Sequence, residues 1–400
     1  MASNNVSLGE LIHQVGERNK GLLSTEPLGV SIDKEFMPSV ANTIGTDLSK
    51  YMLLRRNRFA CNPMHVGRDR ALPIARYKND APGIVSPAYM TFEADESKID
   101  LDYLELFFKL AVFDKECWFY TDSTVRGGLS WDALCSIELN LPSFDDQRKI
   151  ASIVKVIRER MVRLAEQNDY LLELLKASAK NLYADYERNE DLELPEDWRW
   201  VEIDEIAEMV CRGITPKYNP DSDETVLGQT CVRNNLVLLE NGRLHMPKKV
   251  TEKWLQKYDL LINSTGVGSL GRTAQVWFEP SKLVVDSHVT IVRCENAKHA
   301  LYLGFWAFEH EKYIESLHTG STGQTELPRD HVKAIRFVLP SEKELEQFNA
   351  IASPAVELIV ANQQESKRLA ELRDALLPKL MSGEIDVSKV DLTQLNNHLA

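Results

Sequence analysis

Three glycines stand at a spacing that can cradle a phosphate: Gly266-Val267-Gly268-Ser269-Leu270-Gly271, preceded by the strand-like Leu260-Leu261-Ile262. Asp286 lies 15 residues past the last glycine, as a ribose-binding acid would. In a dinucleotide fold such glycines lead into a helix whose N-terminal N–H groups hold a pyrophosphate. Here they lead into Arg272-Thr273-Ala274-Gln275-Val276-Trp277-Phe278, which alternates like a strand. The segment therefore reads as a glycine-rich hairpin turn. Ser264, Thr265, Gly268, Ser269 and Arg272 then become candidate nucleic-acid contacts, with free N–H groups and Arg272 available to a phosphate.

Other chemistry is thinly supported. Asn62-Pro63-Met64-His65 has the first two residues of the Asn-Pro-Pro-Tyr/Phe loop of amino-methyltransferases, without the aromatic that stacks on a flipped base. There is no Walker A sequence, no His-Glu-x-x-His and no Gly-x-Ser-x-Gly. His288, in Val285-Asp286-Ser287-His288, could be a ligand or a base but reads as a satisfied core or loop histidine. The six cysteines (61, 117, 135, 211, 231 and 294) form no Cys-x-x-Cys pair, which argues against zinc and suits a reducing cytoplasm. No apolar run of 18 residues is present and the N-terminus has no secretory pattern, so a membrane partner is not expected.

Charge points two ways. With 47 Lys and Arg against 60 Asp and Glu, the net charge of −13 argues against a phosphate-rich partner. Locally the balance reverses. Lys50–Lys78 holds eight basic residues against Asp69 alone: Lys50, Arg55, Arg56, Arg58, Arg68, Arg70, Arg76 and Lys78. Arg243–Arg272 holds six, including Lys248 and Lys249, against Glu252 and Asp259. Either segment can be a solvated face or a DNA contact; both adjoin a glycine-containing loop, which favours contact. Arginine there suits bidentate base reading and lysine suits phosphate. Tyr77, Tyr89, Trp254 and Trp277 read as packing residues.

These segments occupy matching places in an internal repeat. Leu129-Ser130-Trp131-Asp132 followed by Leu141-Pro142-Ser143 recurs as Leu327-Pro328-Arg329-Asp330 followed by Leu339-Pro340-Ser341, at an offset of 198. Arg58-Phe59-Ala60-Cys61-Asn62 answers Asp259-Leu260-Leu261-Ile262-Asn263, and Tyr103-Leu104 answers Tyr302-Leu303. Each half predicts a β-rich stretch, then short helices around 102–113 and 300–311, then a long amphipathic helix. Ile150, Ile157, Leu164 and Leu171 step by seven in the first helix, beside Val154, Met161, Asn168, Leu175 and Leu182. The second carries Leu345, Ala352, Ile359 and Leu380 beside Phe348, Ala355, Asn362, Leu369 and Leu376, with kinks expected at Pro354 and Pro378. Two such helices pair most economically with each other, antiparallel, each on the order of 60 Å long. Asn168 and Asn362 fall on the seams, either fixing register or facing water. The expected class is α+β: two β-rich domains separated by two antiparallel helices forming a coiled coil with an internal pseudo-twofold repeat.

The stretch Leu369-Ala370-Glu371-Leu372-Arg373-Asp374-Ala375-Leu376-Leu377-Pro378-Lys379-Leu380-Met381-Ser382-Gly383-Glu384-Ile385 resembles the specificity subunit of type I restriction–modification systems, as do Leu327 through Ser341 and the Asp259–Arg272 strand and loop. The resemblance spans about residues 6 to 386. It implies a non-catalytic subunit that reads a bipartite double-stranded DNA target, one recognition domain per half-site, with the helices setting the gap. It also implies two methyltransferase (modification) subunits and further nuclease (restriction) subunits as partners in the cytoplasm. S-adenosylmethionine, ATP and magnesium would sit on those partners, none on this chain. The implied domains are 1–143, a spacer helix 144–187, a second domain 188–341, a second spacer helix 342–383 and a tail 384–400. The first half departs from the pattern, with Ala177-Ser178-Ala179-Lys180 where an Ala-Leu-Leu-Pro-Lys ending stands in the family. The competing readings are a self-contained methyltransferase or nucleotide-binding enzyme, and a coiled-coil scaffold that binds no DNA.

Overall fold

A computed structural model describes residues 4–41, 45–121, 128–247, 252–320, 325–391 and 394, except the side chain of His65. The chain forms two compact units, Met1–Val162 with Lys367–Ala400, and Arg163–Ser366. Each unit therefore holds one β-rich body and a stretch of both long helices. No helix among the described residues is long and apolar enough to cross a membrane.

The first body contains β1 (Asn4–Ser7), β2 (Ile12–Gln14), β3 (Pro27–Val30), β4 (Phe36–Pro38), β5 (Met52–Leu54), β6 (Phe59–Cys61), β7 (Ile74–Arg76), β8 (Gly83–Val85), β9 (Met90–Ala94) and β10 (Glu138–Leu141). The second contains β11 (Arg199–Glu202), β12 (Ala207–Arg212), β13 (Glu224–Leu227), β14 (Val232–Arg233), β15 (Leu236–Val237), β16 (Arg243–His245), β17 (Leu260–Asn263), β18 (Thr273–Gln275), β19 (Leu283–Val285), β20 (Val289–Cys294) and β21 (Arg336–Leu339). The duplication is visible in the sheet order. An antiparallel sheet β2-β9-β6-β7 in one body matches β12-β20-β17-β18 in the other. Beside it, β3 runs parallel to β8 and antiparallel to β4, just as β13 runs parallel to β19 and antiparallel to β16. The first strand of each body pairs with the last, β1 with β10 and β11 with β21. The second body adds the hairpin β14–β15, whose turn residues Asn234 and Asn235 take φ of 55° and 60°, a conformation asparagine tolerates better than most.

Side chains repeat as well. The buried hydroxyl of Tyr103 donates to the carbonyl of Asn140 on β10 at 2.9 Å, and that of Tyr302 donates to the carbonyl of Val338 on β21 at 2.9 Å. A phenol cannot be buried without a partner at low cost, so each tyrosine pins its helix to the closing strand. The sequence led us to expect one short helix per half. Each is two, Leu101–Phe108 with Ala111–Phe119, and Ala297–Glu309 with Glu311–Ser316. Asp100 and Asn296 cap the first of each pair by accepting backbone N–H bonds.

The long helices are Phe144–Lys180 and Glu342–Ser382. Ser143 caps the first: its Oγ accepts from the N–H of Asp146 at 3.2 Å. At the equivalent position the Ser341 hydroxyl donates to the Glu344 carboxylate and holds its pKa below the usual range. The first helix leads from unit one into unit two and the second leads back, so they run antiparallel. Ile150, Ile157, Leu164, Leu175, Ile359, Leu369 and Leu380 are buried as their seam positions require. Leu171, Leu182 and Leu376 are only partly buried; their neighbours Leu172, Tyr183 and Leu377 take the inner places. A straight helix drifts from a strict seven-residue repeat, which moves the buried stripe on by one residue. Leu182 also lies beyond the helix end. The second helix runs unbroken through Pro354 and Pro378, the positions where kinks were expected. Of the two readings for the seam asparagines, pairing holds: Asn362 is 4% exposed and its Nδ2 donates to Asn168 Oδ1 at 2.8 Å. Asn168 Nδ2 in turn reaches the Ile359 carbonyl at 3.5 Å. One-turn slippage would leave both amides unpaired in the seam, so the pair fixes register.

Candidate nucleic-acid interface

In the second body the glycine-rich segment joins β17 to β18, which pair antiparallel with Ile262 opposite Thr273. It is a hairpin loop, and no helix follows it. Gly266, Gly268 and Gly271 all have positive φ, at 95°, 73° and 81°. Gly271 is also sterically required, because a Cβ there would lie 2.7 Å from the backbone nitrogen of Glu315. The tip is open: Val267 is 88% exposed and nothing lies within 4 Å of a Cβ built on Gly268.

The loop base is firmly held. Ser264 is fully buried and shares a 2.6 Å hydrogen bond with Thr290 Oγ1. Its N–H donates to the His288 carbonyl at 2.9 Å and its carbonyl accepts from Leu327 N–H at 2.8 Å. Ser264 thus anchors the loop base. Ser269 Oγ turns inward to the carbonyls of Thr265 and Gly266, both at 3.4 Å. At the far end, Glu311 Oε1 accepts from Thr273 N–H at 2.7 Å and from Asn235 Nδ2 at 3.0 Å. Arg272 is half-buried, and its guanidinium has no acidic partner among the described residues. Lys248 and Lys249 lie outside the described residues.

The basic segment of the first body is arranged differently. Arg58 is 4% exposed. Its guanidinium donates to Glu93 Oε1 at 2.7 and 2.9 Å, to Glu17 Oε2 at 2.9 Å and to the Leu53 carbonyl at 2.8 Å. Arg76 is nearly buried against Asp102 and Glu105. Both are held in ion pairs within the body. Burial of a charge is tolerated only with such partners, which these two guanidinium groups have. Arg55 joins Glu17 at 2.6 Å, Arg56 joins Asp80 at 2.6 Å and Arg68 joins Asp69 at 2.6 Å, all on the surface. The Arg55 hydrogen bond, with further pull from Arg58, lowers the Glu17 pKa to about 2. Arg70 differs from the rest: its guanidinium lies 5.1 Å from the ring of Trp118, an exposed aromatic followed by exposed Phe119 and Tyr120. Gln229 escaped the sequence reading; it meets His288, considered there as a ligand or base, at Thr265 beside the glycine loop. Gln229 is 36 residues from Thr265 and carries no local motif.

No family model matches the chain. It is 23% identical over 310 residues to the type I restriction enzyme MjaIX specificity subunit of Methanocaldococcus jannaschii, covering 72% of this chain and 70% of that protein. It is 21% identical over 378 residues to the HindI specificity subunit of Haemophilus influenzae, covering 76% and 81%. The crystal structure of a type I restriction–modification S subunit from M. genitalium superposes with a TM-score of 0.55 at 15% identity, covering 95% of this chain and 96% of that one. The resemblance read from the sequence is therefore shown. The chain is similar in sequence to type I specificity subunits and shares their fold.

Proposed function

We propose that this chain is the non-catalytic DNA-recognition subunit of a type I restriction–modification complex. The observation that carries this reading is its similarity, over more than two-thirds of its length, to two specificity subunits. The recognition domains would be residues 1–143 and 188–341, each reading one half of a bipartite double-stranded target. The helices in 144–187 and 342–383 would set the unread gap, a role that suits the register lock between Asn168 and Asn362. Two modification subunits would supply S-adenosylmethionine and methyl transfer. Restriction subunits, where present, would bring ATP, magnesium and cleavage, and the assembly would work in the cytoplasm. The acidic net charge of the chain fits a role in which partners contribute part of the phosphate clamp.

Inserting one turn, roughly four residues, into both long helices at matching heights tests the ruler. Methylation by the assembled complex should then require a changed gap while both half-site sequences stay the same. An unchanged gap would refute the spacer role.

A further inference from the structure

Gln229, Thr265 and His288 form a hydrogen-bonded chain in which the Gln229 amide is the first donor. Gln229 Nε2 faces the Thr265 carbonyl, which can only accept, and it also reaches Thr265 Oγ1 at 2.7 Å. Both amide protons are thereby used on Thr265. Thr265 Oγ1, accepting from Gln229, has its own proton left to give, and His288 Nδ1 lies 2.8 Å away. Given to Nδ1, that proton makes Nδ1 the acceptor and leaves the imidazole proton on Nε2.

The rest of His288 is immobilised. Its N–H donates to Asp286 Oδ1 at 2.9 Å and its carbonyl accepts from Ser264 N–H at 2.9 Å. The preceding carbonyl, of Ser287, accepts from Arg212 Nη1 at 3.1 Å. The ring is exposed, and Nε2 has no acceptor among the described residues. Backbone and ring are held, and in that tautomer one N–H donor is left facing out beside the open glycine loop. Gly266 is part of it, since a Cβ there would lie 2.7 Å from Gln229 Nε2.

We infer that His288 Nε2–H is a base-reading donor for an acceptor on a base edge of duplex DNA, such as guanine O6 or N7 or thymine O4. Gln229 and Thr265 are positioning residues that set its tautomer. This rests on the DNA-recognition reading above and names the residue that reads in the second domain.

The test uses the full complex with its modification subunits and a DNA library randomised through both half-sites. His288→Ala should reduce discrimination at one base pair of one half-site by about tenfold, leaving the other half-site untouched as an internal folding control. Gln229→Leu should relax the same base pair, and adding it to His288→Ala should cause no further loss, because the two act as one unit. An unchanged preference profile in His288→Ala would overturn the inference. So would a uniform loss across all sequences, which marks a phosphate contact. If the unsubstituted complex shows no bipartite preference, the parent reading fails instead.

Discussion

At one position the two bodies carry the same ion pair with the charges exchanged. In the first, Arg58, just before β6, reaches across to Glu93 on β9; in the second, Asp259, just before β17, reaches across to Arg293 on β20. Asp259 Oδ2 accepts from Arg293 Nη2 at 2.7 Å, and burial pushes the Asp259 carboxyl pKa up against the pull of that hydrogen bond. The fold requires a paired charge on each of these two strands and is indifferent to which strand carries which sign. A basic residue at position 58 is thus one of two solutions to a structural problem. The lesson extends along the first basic segment, where Arg55, Arg56, Arg58, Arg68, Arg76 and Lys78 all have carboxylate partners, whereas Arg272 at the second loop has none among the described residues. Charge counted along a chain overstates charge available to a ligand.

The sharpest way to break this comparison is to remove one partner in each body. Asp259→Ala strands the buried Arg293 guanidinium and should cost about 3–5 kcal/mol in denaturant unfolding of the full chain, whereas Arg58→Ala leaves two part-exposed carboxylates, one still paired with Arg55, and should cost about 1–3 kcal/mol. Arg58→Ala complexes that do fold should keep their DNA half-site preference; a changed preference would make Arg58 a reader after all. Next in size is the loop end. Gly271→Ala adds a Cβ at φ 81° that meets the Glu315 backbone, which should cost about 2–4 kcal/mol. Arg70 in the first body, at φ 53°, should tolerate glycine to within about 1 kcal/mol, because relief of strain offsets loss of the Trp118 contact. Arg272→Ala should leave stability within about 0.5 kcal/mol while lowering DNA affinity of the complex and the slope of its salt dependence by about one; Arg56→Ala should change neither appreciably.

The smallest effect concerns acid. With its pKa lowered to about 2, Glu17 stabilises the first body above its unfolded pKa of about 4.5, and that contribution is lost as pH falls towards 2. Glu17→Gln should therefore be less stable than the parent at pH 7, with the two converging as pH drops through that window in denaturant titrations. Partial exposure of Glu17 and Arg55 keeps the difference modest.

Legibility in the sequence followed the range of the interactions. The repeat, the hairpin nature of the glycine loop, the helix starts at Ser143 and Ser341 and the seam asparagines were readable because each is encoded in short spacing or periodicity. What was not legible depended on partners far along the chain. Arg58 is neutralised by Glu17 and Glu93, 41 and 35 residues away, and nothing local marks them. The contact of His288 with Thr265 and Gln229 was not legible because those residues lie 23 or more positions away. The buried stripe of the long helices drifted by one residue at Leu172 and Leu377, as a helix of 3.6 residues per turn must when held to a seven-residue count.

The measurement that bears most directly on the account is base-resolved methylation profiling of a host carrying this chain with its modification subunits. Two readers on one spacer predict methylation at two short defined half-sites separated by a constant gap of unread base pairs. A single continuous recognition sequence, or methylation without sequence preference, would contradict it.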